Sequence, residues 1–206
     1  MKTRIHRDLS ERIREGCEGR LNVCIHPRWF LAGNLYPDCS HQRLLHLHEL
    51  SGAGGMVGRM VRRFCKRGVR GGRLSRLRSM RLGIIMHYVC DFSCYAHTAA
   101  FPGTLREHRA YERAQGALSG DPAPRDVMTL YGAGDAAEAY ALFLQALGAR
   151  PHGSYTPAGD LDFALSAGTE LACAMLRLCL REGEETTRCR RLLAHVPLLR
   201  RYARAA

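Results

Sequence analysis

Lysine is nearly missing from this sequence. Lys2 and Lys66 are the only two, so the excess of 31 basic over 19 acidic residues, +12 with histidine neutral, is carried by arginine. A balance this basic favours a polyanionic partner such as nucleic acid, phospholipid headgroups or a phosphorylated substrate, although a uniform arginine bias also follows from GC-rich coding. The charged opening from Met1 to Arg20 has no apolar h-region. No secretory signal is visible there, and a cytoplasmic protein starting near Met1 is the expectation. Nine cysteines are present without a CxxC pair, which argues against a disulfide framework and for reduced thiols, several of them in the core. Runs of alternating strand residues and internal repeats are also absent. Between Arg81 and Arg106 there is no lysine or arginine, a length that would cross a bilayer. Asp91, His87 and His97 near its middle would be costly in lipid, so a buried helix and no transmembrane segment are expected.

What is there is enough for one core: 206 residues, 46% hydrophobic and 24% charged. Ile5, Leu9 and Ile13 recur every four residues and predict an amphipathic helix from Thr3 to Glu18. A loop is expected through Gly19 and the region from Pro27 to Pro37. The segment from His41 to Glu49 carries Leu44, Leu45 and Leu47, and Ser51-Gly52-Ala53-Gly54-Gly55 then predicts a weak point before a helix from about Met56 to Lys66. Arg67 to Arg78 reads as an exposed basic connection. A helix from Arg78 to Ala100 is expected to break at Phe101-Pro102-Gly103, where Thr104 caps another running to about Leu118. Asp121-Pro122-Ala123-Pro124 is the clearest linker. Beyond it, Arg125 to Leu147 and Ala158 to Arg181 predict two long helices, and Thr186 to Arg204 a basic segment covering the bundle end. The fold class is all-α, a single-domain bundle of six or seven helices over residues 1–206, with a site-bearing half to about 118 and C-terminal helices over about 123–204.

The chemistry concentrates in histidine–carboxylate spacing. His87 and Asp91 lie four apart on one predicted helix, and His108 and Glu112 repeat the pattern on the next, so each pair projects from one face as a shared metal ion requires. His97 lies between them, where a helical hairpin would gather all five. Nitrogen and carboxylate oxygen without cysteine suit a zinc-like cation in a catalytic site. So many ionisable groups in an apolar helix pair would be expensive to bury without compensating cations.

Those residues resemble a known family. His87-Tyr88-Val89-Cys90-Asp91, His97-Thr98-Ala99-Ala100-Phe101 and His108-Arg109-Ala110-Tyr111-Glu112 look like the signature of zinc-dependent phospholipase C, whose helical scaffold is shared with single-strand-specific zinc nucleases. Gly33-Asn34-Leu35-Tyr36-Pro37-Asp38 is similar to that family's Gly-Asn-x-x-Pro-Asp turn, and His6 completes a resemblance covering roughly Met1 to Ala114. It implies two or three zinc ions. His97, His108 and Glu112 would hold one; Asp38, a following histidine, His87 and Asp91 a second; Asp91 would bridge to a third with His6. The following histidine is open among His41, His46 and His48, the spacing in small family members favouring His48. In secreted members the mature N-terminal amine and carbonyl complete the third site; here that role is open between water, this chain's own terminus and weak occupancy.

The function implied is a metal-dependent phosphodiesterase of the phospholipase C type acting on phospholipid or another phosphodiester, with water activated by the metals and Asp38 as the carboxylate that orients it, unless Asp38 is purely a ligand. A single-strand nuclease on the same scaffold, or a non-enzymatic polyanion-binding module with structural metal, are the alternatives. His26, His152 and His195 read as solvated. Trp29, Phe30, Tyr88, Phe92, Tyr95, Phe101 and Tyr111 read as core rather than pocket, Tyr36 is a slightly better pocket candidate, and Cys90 and Cys94 read as small packing groups.

Overall fold

The computed structural model describes residues 1–39, 49–69, 71–118 and 132–194, with 152 and 188–194 in backbone only. Among these residues there are seven α-helices and no strand beyond a single parallel bridge between Cys24 and Arg73. Helix α1 spans Thr3–Leu21 and buries Ile5, His6, Leu9, Ile13 and Cys17, the stripe its four-residue spacing predicts. It ends at Asn22 in the left-handed region, with φ of 49°.

The region from Pro27 to Pro37, expected as a loop, is helix α2, Pro27–Cys39. Pro27 occupies the first helical position, where a missing N–H costs nothing, and Pro37 falls close enough to the end that only the last turn loses a hydrogen bond. Helix α3 is Leu50–Cys65, so the Ser51-to-Gly55 stretch is helical as well. Its small residues are a packing surface: Tyr140 lies over Gly54 and Gly58 and donates its hydroxyl to the Gly54 carbonyl at 2.8 Å. Arg78, expected at the end of an exposed basic connection, is instead helical and half-buried, donating to the Gly68 and Phe64 carbonyls and lying 4.8 Å over the Phe64 ring.

Helix α4, Arg76–Phe92, is capped by the Ser75 hydroxyl and stops sooner than its pattern suggested. From Leu82 to Phe92 it is buried at every position except Ile84, which is the soluble-core answer to the apolar stretch between Arg81 and Arg106. Helices α2 and α4 run parallel in constant register. The His26 N–H donates to Ser79 Oγ at 3.0 Å, the Phe30 carbonyl faces Gly83, and the Asn34 carbonyl meets His87, each pair 53 residues apart. The register is possible because Gly33 and Gly83 carry no side chain. A Cβ on either would stand 2.0 Å or 2.1 Å from the Met80 or Phe30 carbonyl oxygen.

Helix α5, Leu105–Leu118, begins at the Thr104 cap its sequence predicts, completed as a capping box by Glu107: Glu107 N–H to Thr104 Oγ1, and Thr104 N–H to Glu107 Oε2 at 2.6 Å. Helix α6 starts at Ala136, later than expected, because Asp135 caps the N–H groups of Ala137 and Glu138. Helix α7 runs unbroken from Pro157 to Ala194, so the expected boundary before Thr186 does not exist. Its stretch Pro157–Thr187 is long and apolar enough to cross a membrane, but 83% of its most apolar window is buried inside the fold, as in a central core helix. The linker from Asp121 to Pro124 and the chain beyond Ala194, His195 included, lie outside the described residues.

Candidate metal centre

The parallel register of α2 and α4 builds the inner half of the site. His87 and Asp91, one turn apart on the buried face of α4, are both 0% exposed. The His87 Nδ1 lies 2.7 Å from the Asn34 carbonyl. A carbonyl only accepts, so Nδ1 carries the hydrogen and Nε2 presents a lone pair, 3.2 Å from Asp91 Oδ2 and 3.8 Å from Asp38 Oδ1. Helix α1 brings His6 against it, the two imidazoles stacked at 4.1 Å. His6 Nε2 is 3.2 Å from Asp91 Oδ1.

The outer half comes from the next turn and α5. Because α4 ends at Phe92, His97 sits in a 3-10 turn, Tyr95–His97, and not on the helix. Its Nε2 is 3.2 Å from Glu112 Oε1, and His108 Nε2 is 3.4 Å from the same oxygen, with the two rings 5.1 Å apart. Phe101 stands edge-on to His108 at 6.1 Å. Asp91 joins the halves, its Oδ1 lying 3.7 Å from His97 Nδ1. The Met1 amino nitrogen also enters, 2.7 Å from Asp91 Oδ1, 2.8 Å from His97 Nε2 and 3.3 Å from Glu112 Oε1.

This crowding perturbs every group it buries. Burial pushes the Asp91 carboxyl up, but the Met1 ammonium, His97, His6 and His87 around it prevail and hold it well below its usual range. Burial first, and then the repulsion His87 would exert if it too were protonated, drive His6 down to about 3, so it is neutral. Burial opposes the Met1 ammonium, yet Asp91 and the other acidic neighbours raise it to about 11. Glu112 is lowered to about 2, against its own burial, chiefly by the His97 contact and Met1.

The residues fit a metal. Fully buried His6 has no hydrogen-bond partner at Nδ1 and only the 3.2 Å approach to Asp91 at Nε2, and a buried polar group left without a partner costs about 1–3 kcal/mol. Two triads, His6 with His87 and Asp91, and His97 with His108 and Glu112, each bring one ligand atom per residue within 4.8 Å of the others. All the donors are imidazole nitrogen or carboxylate oxygen, the set that suits a borderline divalent cation such as zinc. Seven of the eight residues singled out in the sequence, His6, Asp38, His87, Asp91, His97, His108 and Glu112, meet in this one region. The eighth, His48, lies outside the described residues together with His41 and His46.

Sequence reasoning missed the support behind the outer triad. Asp160, in the first turn of α7 and fully buried, accepts from the Tyr95 N–H at 2.7 Å, the Tyr111 hydroxyl at 2.9 Å, Gln115 Nε2 at 3.2 Å and Arg150 at 2.9 Å. Arg150 in turn donates to the Ser93 carbonyl at 2.7 Å. The 3-10 turn and α5 are thereby tied together through a residue from the C-terminal half. An acid in a first helical turn reads equally as a complement to the helix dipole, so the sequence carried no distinguishing signal. Of the aromatics, Phe30, Tyr88 and Phe92 are core as expected, Tyr95, Phe101 and Tyr111 line the outer triad half-buried, and Trp29 and Tyr36 are exposed. His26 is half-buried, its Nδ1 without a hydrogen bond, rather than solvated. Cys90 and Cys94 are buried packing groups.

No curated protein and no solved structure matches the chain. A sequence model of one family does, described as zinc dependent phospholipase C, over residues 5–147, which takes in α1 through α6 and every described member of both triads. On that match, and on an all-helical fold that agrees with it, the chain belongs to the zinc-dependent phospholipase C family.

Proposed function

We propose that this protein is a zinc-dependent phosphodiester hydrolase of the phospholipase C type, acting on a phospholipid or a related phosphodiester. The observation that carries the reading is the convergence of two nitrogen–oxygen triads about Asp91, with Nδ1 of the buried His6 left without a hydrogen bond. His97, His108 and Glu112 would hold one ion, Asp38, His87 and Asp91 with His48 a second, and Asp91 with His6 a third, two or three zincs in all. Zinc bound there supplies a Lewis acid that neutralises charge developing on the phosphodiester and acidifies the attacking water.

The chain's own residues do the rest. The Asn34 carbonyl fixes the His87 tautomer, so its Nε2 faces the site without reorientation during turnover. Asp38, one-fifth exposed at the open edge, is the carboxylate placed to orient the attacking water and take its proton, while Asp91 and His6, wholly buried, form a floor that excludes bulk water. Attack on phosphorus breaks the bond to the leaving alcohol, giving diacylglycerol and a phosphorylated headgroup with no covalent enzyme intermediate. The nuclease reading on the same residues is favoured by the net charge of +12. Zinc-loaded protein offered a short-chain phospholipid and single-stranded DNA or RNA separates them. Diacylglycerol release, abolished in His87→Ala and His108→Ala with helical content retained, supports the phospholipase reading. Mononucleotide release alone transfers the assignment to a nuclease, and turnover of neither overturns both.

A further inference from the structure

Helix α5 is unlike its neighbours in burying a single side chain, Gln115. On the rest of its circumference Leu105, His108 and Glu112 fall at i, i+3 and i+7, so Leu105, 65% exposed, stands beside the outer triad. Next to that row run Arg106, Arg109 and Arg113, also at i, i+3 and i+7 and all exposed. Among the described residues none of the three is paired with a carboxylate; Arg113 donates only to the Arg109 carbonyl at 3.1 Å. Glu107, on the flank, is occupied by the Thr104 cap. The loop from His97 into α5 adds Ala99, Ala100 and Pro102, all exposed.

We propose that this loop and α5 form a docking surface for an anionic phospholipid bilayer, with Leu105 and the loop entering the headgroup boundary and the three arginines meeting lipid phosphates. The inference rests on the phosphodiesterase reading only in placing the substrate beside the outer triad. Unpaired arginines on a helix that buries so little match the negative charge of such a surface, and their long stems let apolar contact and charge act together. A single-stranded nucleic acid fits less well, because its bases need free aromatic faces. The aromatic rings here are engaged: Phe101 makes edge contacts to Tyr95, Tyr111 and His108, and the freely exposed groups are aliphatic.

The test is sedimentation of the full chain with vesicles of phosphatidylcholine alone and of phosphatidylcholine mixed with phosphatidylserine, at low salt. Binding to the mixed vesicles is expected, falling about fivefold per arginine neutralised, so roughly 100-fold in the Arg106→Gln, Arg109→Gln, Arg113→Gln protein. Leu105→Ser, at a solvent-facing position, is expected to weaken it about tenfold with the circular dichroism unchanged. Equal binding to both vesicle types, indifference to the triple substitution, or no vesicle binding alongside arginine-dependent binding of an oligonucleotide would each overturn the proposal. Hydrolysis of a monomeric short-chain phospholipid is measured in parallel. Turnover without vesicle binding sinks the docking surface and leaves the function standing, whereas vesicle binding without turnover does the reverse.

Discussion

Replacing Gly83 with alanine puts one methyl group into the close contact between α2 and α4. The new Cβ would stand 2.1 Å from the Phe30 carbonyl oxygen and 2.8 Å from the Asn34 nitrogen, both backbone atoms of α2. Backbone has no rotamer to yield, so α2 and α4 must part by roughly 1 Å, an overpacking cost of about 1–3 kcal/mol. That separation also carries the His87 Nδ1···Asn34 O contact from 2.7 Å to beyond hydrogen-bonding distance, leaving the buried His87 Nδ1–H unmatched for about another 1–3 kcal/mol. Alanine recovers about 1 kcal/mol of helix propensity. A net loss of about 1–5 kcal/mol is expected. It is read as a lower urea midpoint at unchanged m-value, with reduced zinc content in the purified protein because Asp38 and His87 are displaced from each other. Gly116→Ala is the control, since nothing lies within 4 Å of its would-be Cβ and the same propensity gain applies unopposed. A Gly83→Ala protein with wild-type midpoint and full zinc would refute the glycine-contact account of the site.

Asp160→Ala leaves the buried Arg150 guanidinium uncompensated and frees the Tyr95 turn. A loss of about 3–5 kcal/mol is expected in urea unfolding, and a wild-type midpoint would show the network to be incidental. In the metal-free protein His6 is neutral with its pKa lowered to about 3 from 6.5, so the unfolded chain binds the extra proton and stability falls as pH drops from 6.5 toward 3, by up to about 1.4 kcal/mol per unit. The Met1 ammonium, raised from 8.0 to about 11, works in the other direction: its stabilisation is complete below pH 8.0 and lost as pH rises through 11. Urea midpoints across pH should peak between about 6.5 and 8; a flat profile would contradict both environments. Extending the chain before Met1 turns that ammonium into an amide, so the alkaline limb should vanish in a tagged protein and remain in an untagged one.

The parts of this architecture that show in the sequence are those set by local spacing. His87 with Asp91 and His108 with Glu112 are neighbours on any helix, and Thr104 is a cap wherever it starts one. The parts that do not show are set by distant partners. The Gly-rich start of α3 is helical because Tyr140 covers its small residues, and α2 is helical around two prolines because Gly33 and Gly83 let it lie against α4. Local propensity argues against both, and tertiary packing overrides it. The early end of α4, which moves His97 from a helix to a turn, is fixed by Asp160 holding the Tyr95 N–H from 65 positions away. The last two expected elements join into α7 across Glu182, Gly183, Glu184 and Glu185, a charged and mostly exposed stretch where the apolar pattern lapses while the helix continues.

The two triads differ in how far along the chain their members must be drawn. His97, His108 and Glu112 come from one short stretch, whereas His6 must travel past α2 and α3 to reach His87 and Asp91. Closing a short loop costs less entropy than closing a long one. If zinc binds both triads, the outer one would close on it while the chain is still partly open, and the inner one only once α1 has docked on α4. Metal retained at the inner triad would thus report that the first helix has docked against α4, a readout of tertiary assembly separate from any part in hydrolysis.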